Sequence, residues 1–191
     1  MILTAFRRGH HNRNIHALYG AIVAQARSVV FYSRYGVADT VEGRFELIVL
    51  HLVLVLVRLG REDGAAAKPA SKRPSVHLAG QGLFDIFCRD LDGNLREMGV
   101  GDLAVPKKMR RFGEAFYGRL SAYGAALAAT DERELEKALA RNIFGATSVD
   151  DRAAWLARYA RAAARQLDTE AEEALVDGKA VFPNPEAFAH A

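Results

Sequence analysis

Cysteine is all but missing from this chain: Cys88 is the only one in 191 residues. A lone thiol excludes an intrachain disulfide and a cysteine-built zinc site, and it fits a reducing compartment. Acid is missing from the start. Residues 1–38 hold no Asp or Glu, yet they carry Arg7, Arg8, Arg13, Arg27 and Arg34. No apolar stretch follows the first arginines, which excludes a secretory signal. An organelle presequence is also Arg-rich and acid-poor, but helical patterning begins almost at once and leaves little to remove. These absences point to a cytoplasmic, bacterial protein. Long apolar runs are missing too. The longest, LIVLHLVLVLV at 47–57, is too short to cross a bilayer and contains a histidine. It reads as the buried centre of a globular domain, one that is peripheral to a membrane at most, at the inner face of the cytoplasmic membrane. A formal charge of +3 is far from polybasic, and DNA is not an expected partner.

What is present is apolar material in helical register. Half of the residues are hydrophobic, enough for a sizeable core. A first helix is expected over 15–27, with Asn14 as its cap. VVFYSRYG follows as a short aromatic segment that ends at Gly36. Asp39 and Glu42 have the spacing of a reciprocal capping box. They open a central helix over 41–59, apolar almost all round. Its Val-rich middle has strand propensity, but no second strand is on offer to pair with it. Residues 60–79 have no apolar face and read as a mobile linker.

From Gln81 to Met98 the residues Phe84, Phe87, Leu91, Leu95 and Met98 recur at three and four, giving one apolar stripe. Asp85 with Arg89, and Asp92 with Arg96, are acid-first pairs four apart, the favourable order. Pro106 then opens a helix whose stripe is Met109, Phe112, Phe116, Leu120, Tyr123 and Leu127. Gly113, Gly118 and Gly124 inside it imply close approach of a neighbouring helix, since each costs roughly 1 kcal/mol against alanine. Three more helices follow. TDERELEKALARNIFG has a polar start; Ser148 with Asp151, and Thr169 with Glu172, stand at cap spacing. The expected architecture is all-α, a single compact helical domain of about seven or eight helices. It divides into a flexible basic N-terminus at 1–12, a core at 13–129 and an Ala-rich helical extension at 130–191 packed on that core.

A catalytic set needs a nucleophile, an acid/base pair, a metal or a cofactor cradle. His10, His11 and His16 lie near the start with no carboxylate beside them, so no metal site is expected. Cys88 sits beside an apolar stripe and reads as a small hydrophobe. GVGD at 99–102 lacks the preceding strand and the spacing of a nucleotide loop. Asp90, Asp92 and Glu97, with Asn94, fit a solvated helix face better than acid/base work, because Arg89 and Arg96 pair with neighbouring acids. No catalytic residue, metal or cofactor is therefore expected, and the chain does not read as an enzyme. Arg44, His51 and Arg58 recur every seven residues along the central helix. Either this is a core histidine between two arginines that snorkel to solvent, or it is a polar strip lining a groove beside Phe31, Tyr32 and Tyr35.

One stretch breaks a local rule. In GVGDLAVPKKMRRF at 99–112, Lys107, Lys108, Arg110 and Arg111 crowd the start of a helix, where the partial positive charge disfavours cations. Glu114, four residues after Arg110, offsets part of this. A solvated charge cluster and a functional one are equal readings. A rule broken without compensation marks a site, here one for an anionic partner: an acidic protein surface, RNA or lipid headgroups.

Three segments carry a resemblance. YGAIVAQAR with the FY pair (19–32), YGVADTVEGRFELIVLHLVLVL (35–56) and LDGNLREMGVGDLAVPKKMRRFGEAFYGRL (91–120) resemble the ubiquinol–cytochrome c reductase chaperone family, over roughly residues 13–125. Val30 and Ala38 stand where the family often has proline. The resemblance implies a non-catalytic assembly factor for the cytochrome bc complex, respiratory complex III. Such a protein binds newly made cytochrome b or its nascent chain and holds it for hemylation, near the ribosome or the membrane insertion machinery. The expected partner-binding residues are Lys107, Lys108, Arg110 and Arg111 with Asp90, Asp92, Asn94, Arg96, Glu97 and Asp102. The alternative is a ribosome- or RNA-binding module acting through the same basic patch, whose binding would fall steeply with salt.

Overall fold

The Val- and Leu-rich run at 47–57 forms the middle of a helix, and the other elements are arranged around it. The computed structural model describes residues 2–60 and 74–189, with side chains described at 12–60 and 76–189. In chain order the helices are α1 (Ile2–Ala26), α2 (Val29–Ser33), α3 (Val41–Gly60), α4 (Pro74–Glu97), α5 (Val105–Ala128), α6 (Arg133–Ile143), α7 (Asp151–Thr169) and α8 (Glu172–Val176). A 3-10 turn at Pro185–Ala187 follows. There is no strand among the described residues, and the fold is all-α as expected.

Helix α3 packs against α1, α4, α5, α6 and α7. Past its exposed first turn the helix has neighbours on every side and no solvent face, which is why its sequence there is apolar almost all round. Its start differs from the expected box. Thr40, not Asp39, is the cap: its Oγ1 accepts from the Gly43 N–H at 3.1 Å. Asp39 instead takes Arg44 at 2.7 Å. Position 43 must be glycine, because a Cβ there would collide with the Ala38 carbonyl oxygen.

Several other boundaries move. Helix α1 begins at Ile2, so residues expected as a flexible tail are helical, and Asn14 is mid-helix. Its amide donates to Asp177 at 3.4 Å instead of capping. Helix α4 begins at Pro74, so the linker is shorter than expected; its residues 61–73 lie outside the described residues. Val76, Ala79 and Leu83 are buried and extend the apolar stripe toward the N-terminus of α4, a tertiary gain that overrides the weak local signal. The Asp92–Arg96 pair forms at 2.7 Å. The Asp85–Arg89 pair does not: Arg89 donates to the Asp85 backbone carbonyl, while the Asp85 carboxylate accepts from Gln81. At Gly113 and Gly118 an added Cβ would meet nothing, and at Gly124 it would meet Val57 at an ordinary 3.6 Å. No helix comes unusually close there. Helix α7 is capped by Asp150, whose carboxylate accepts from Ala153 N–H at 3.1 Å. The Thr169 hydroxyl donates back to Gln166 and does not cap α8.

The C-terminal third shares the core. Leu135, Leu139, Tyr159, Leu167 and Leu175 belong to the same buried cluster as Leu47, Leu50 and Val53 of α3. Two arginines close helix ends within it. Arg58 donates to the Leu167 carbonyl at 3.1 Å and the Glu170 carbonyl at 3.0 Å, satisfying the carbonyl end of α7. Arg161 donates to Ala126 and Glu132 carbonyls between α5 and α6.

Candidate functional site

The expected groove along Arg44, His51 and Arg58 does not exist as an open surface. Phe31, Tyr35 and His51 are fully buried and Arg58 is only 4 % exposed. Tyr32 is half-buried and donates to the Ala26 carbonyl at 3.1 Å. Arg44 alone is exposed, on Asp39. What burial makes instead is an aromatic knot. The Phe31 ring centre lies 4.9 Å from Tyr159 and 5.4 Å from His51, and Phe182 meets His51 edge-on at 5.3 Å. His51 Nδ1 lies 2.7 Å from the Leu47 carbonyl, which can only accept, so Nδ1 carries the proton. Its Nε2 accepts from the Tyr159 hydroxyl at 2.8 Å, and that hydroxyl accepts from Gln25 at 3.0 Å. Burial, against the pull of the Leu47 carbonyl, pushes the imidazole pKa down to about 4, so the ring is neutral. This is a structural chain of donors, not a surface.

The open site lies elsewhere. A cleft of 390 Å³ separates the start of α3, the end of α4 and the first half of α5. Val41, Phe45, Leu91, Leu95, Met98 and Phe112 form its apolar lining. The Phe45 ring stands 4.9 Å from Phe112 and 5.8 Å from Phe87, which fixes the floor. Under it Arg119 grips Glu46 with two nitrogens, each 2.5 Å from a carboxylate oxygen. Burial pushes the Glu46 carboxyl up against the opposing pull of Arg119. A smaller hollow of 180 Å³ continues the cleft past Asn94 to Tyr19, Arg27, Arg44 and Asp90. There the Tyr19 hydroxyl donates to Asp90 at 2.8 Å.

The turn before α5 is built by glycine. Gly99 has φ +78, and the Gly99 and Val100 N–H groups bond back to Arg96 and Leu95 carbonyls. This is the Schellman ending of a helix, which needs a left-handed residue. Lys107, Lys108, Arg110 and Arg111 are all exposed. Arg110 has Glu114 at 3.4 Å. Helical spacing divides the four. Lys108 and Arg111 line the cleft with Phe112, Ala115 and Arg119, whereas Lys107 and Arg110 do not.

Of the other expected partner residues, Asn94 and Asp90 lie along the cleft and its extension. Asp92, Arg96, Glu97 and Asp102 lie outside its lining. Arg96 holds Asp92 at 2.7 Å and Asp102 at 2.6 Å, fastening the end of α4 to the turn. Phe45, Glu46 and Arg119 were not singled out from the sequence, and Phe112 was read only as part of the core stripe of α5. The visible signal was Glu46, an acid directly before the Leu- and Val-rich run of α3. Cys88 is half-buried, and burial pushes its thiol up, away from reactivity. His10 and His11 have side chains outside the described residues; His16 is exposed. Among the described residues no three His, Cys, Asp or Glu are placed to hold a metal, and no helix is long and apolar enough to cross a membrane.

Every residue of the main cleft falls within a stretch that has known relatives. The profile of the family described as Ubiquinol-cytochrome C chaperone matches residues 33–182. The chain belongs to this family. It is 28% identical over 154 residues to the ubiquinol-cytochrome-c reductase complex assembly factor 1 of Xenopus laevis, covering 80% of this chain and 72% of that protein. The crystal structure of the Cbp3 homolog from Brucella abortus matches with a TM-score of 0.83 and 36% identity, over 97% of this chain and 98% of that one. The family match reaches into the C-terminal third, where the sequence had shown only Ala-rich helical character. Its extent agrees with the packing, since α6 and α7 complete the chaperone's core.

Proposed function

We propose that this chaperone works without catalysis and without a cofactor, holding an apolar, acid-flanked segment of newly made cytochrome b in the cleft between α3, α4 and α5 while the cytochrome bc complex is assembled. One observation carries the reading: an open apolar floor lies directly beside Lys108 and Arg111, exposed on one wall and without a salt bridge among the described residues, with Glu42 as the lining's other exposed charge. Burying one aliphatic side chain on such a floor contributes about 1.5–3 kcal/mol. Two or three would give a hold that is firm and still releasable, as a chaperone requires. The cations add selection for acid at the segment's end and speed encounter. The Glu46–Arg119 pair supplies the floor's polar atoms with partners, so they do not compete for the guest.

The test is capture of cytochrome b by a photo-crosslinking side chain placed at Phe112. The double variant Lys108→Glu/Arg111→Glu should melt like the parent and lose the crosslink by at least about tenfold. Undiminished capture by a folded double variant would remove the cleft from the mechanism.

A further inference from the structure

The same helix has an outer face with its own character. Leu103 is 99 % exposed at the tip of the turn between α4 and α5. The turn there is already helical: Ala104 and Val105 N–H groups bond to the Gly101 carbonyl at 2.8 and 3.2 Å, and Lys108 N–H bonds to Ala104 at 3.1 Å. Leu103, Lys107, Arg110 and Glu114 therefore follow one another at helical spacing on one face. None of them lines the cleft or its extension. Met98, 58 % exposed, stands at the other end of the turn. Residues 96–114 carry five cations against three acids, Glu97, Asp102 and Glu114, and Glu114 stands 3.4 Å from Arg110, leaving Lys107 as the unpaired cation of this face among the described residues. Asp102 is already held by Arg96.

We propose that this tip is a contact for an anionic bilayer surface, with Leu103 entering the interface while Lys107 and Arg110 meet lipid phosphates. The pairing of groups selects the bilayer. RNA would use the cations and leave a fully exposed leucine among them unexplained. An acidic protein would need a pocket shaped to the leucine. A lipid interface accepts an apolar tip beside cations with no shape requirement. One aliphatic side chain and a few charges give weak, reversible binding that depends on anionic lipid. In this pose the start of α5 faces the membrane, and Lys108 and Arg111 bring the mouth of the cleft to the surface. That use of the pose rests on the reading above; the membrane contact does not.

The test is flotation of the full chain with vesicles of phosphatidylcholine, alone or mixed with phosphatidylglycerol. Binding should require phosphatidylglycerol and weaken with salt. Leu103→Trp should show a blue-shifted difference spectrum on adding those vesicles. Leu103→Ser, and separately Lys107→Glu/Arg110→Glu, should each reduce binding at least about tenfold with unchanged melting. The proposal is overturned by absent flotation, by flotation that Leu103→Ser leaves intact, or by tighter salt-dependent binding to polyuridine RNA than to vesicles. Cytochrome b capture should survive Leu103→Ser, so failure of this contact and failure of the cleft are read separately.

Discussion

His51 shows how much a single residue's meaning depends on its partners. The spacing of Arg44, His51 and Arg58 was visible in the sequence, and so was the choice between core and groove. What was not visible was Tyr159, 108 residues away, whose hydroxyl donates to Nε2 and decides the matter. The consequence is a pH dependence of defined sign. The folded imidazole titrates at about 4 against an ordinary 6.5. Its contribution is therefore fully present above pH 6.5 and is lost as pH falls toward 4. By pH 5 the loss is about 2 kcal/mol. His51→Leu removes that step but leaves the Tyr159 proton without an acceptor, at about 1–3 kcal/mol. Urea unfolding should thus find the variant weaker than the parent at pH 7.5, with the gap narrowing or closing at pH 5. A gap that is the same at both values would mean that His51 is not held neutral. A variant equal to the parent at pH 7.5 would mean that the Tyr159 bond carries no stability.

At the level of the element, α5 was legible in its apolar stripe and in its proline start, and misleading in its glycines. Helical spacing placed Phe112, Phe116 and Tyr123 on one side, as the structure has them. The division of the four cations between two faces was also latent in that spacing, since Lys108 and Arg111 share a face with Phe112 and Lys107 and Arg110 do not. It could be used only once the position of the cleft was known, because which side of an amphipathic helix meets a gap depends on neighbours. The glycines read as contact points, yet Gly113 and Gly118 border open space. They are therefore a cost to the helix with no packing return. Gly113→Ala and Gly118→Ala should each raise stability by about 0.5–1 kcal/mol, visible as a higher urea midpoint with unchanged slope. A lower midpoint would show that an added methyl is crowded there, against the open space found within 4 Å of both positions. Loss of cytochrome b capture by a stabilised variant would place the glycine in contact with the guest.

At the scale of the whole molecule, the all-α class and the central helix followed from composition and run length, because a helix apolar all round can only be an axis. The depth to which the C-terminal helices enter the core was not legible. Ala-rich patterning hid the fact that α7 supplies Tyr159 to the middle of the core and that its last carbonyls are closed by Arg58 of α3. The tail that follows α8 is the final piece. The buried Tyr35 hydroxyl donates to the Pro185 carbonyl at 2.7 Å, and Gln25 reaches the Pro183 carbonyl at 3.2 Å. Phe182 covers His51, and the Phe188 ring stands 6.1 Å from Tyr159. The segment therefore works as a plug over the polar chain that joins α1, α7 and α3. A chain ending at Ala180 should lose at least about 3 kcal/mol, from the Tyr35 hydroxyl left without its acceptor and from the lost packing of Phe182 and Phe188 on His51 and Tyr159. It should also lose pH sensitivity. Once water reaches His51, its pKa returns toward 6.5, so folded and unfolded states bind protons alike and the acid step between pH 6.5 and 4 shrinks. Urea melts at pH 7.5 and 5 on full-length and shortened chains measure both effects together. Destabilisation with the acid step kept intact would mean that the tail contributes packing alone and that burial by the helices suffices to hold His51 neutral.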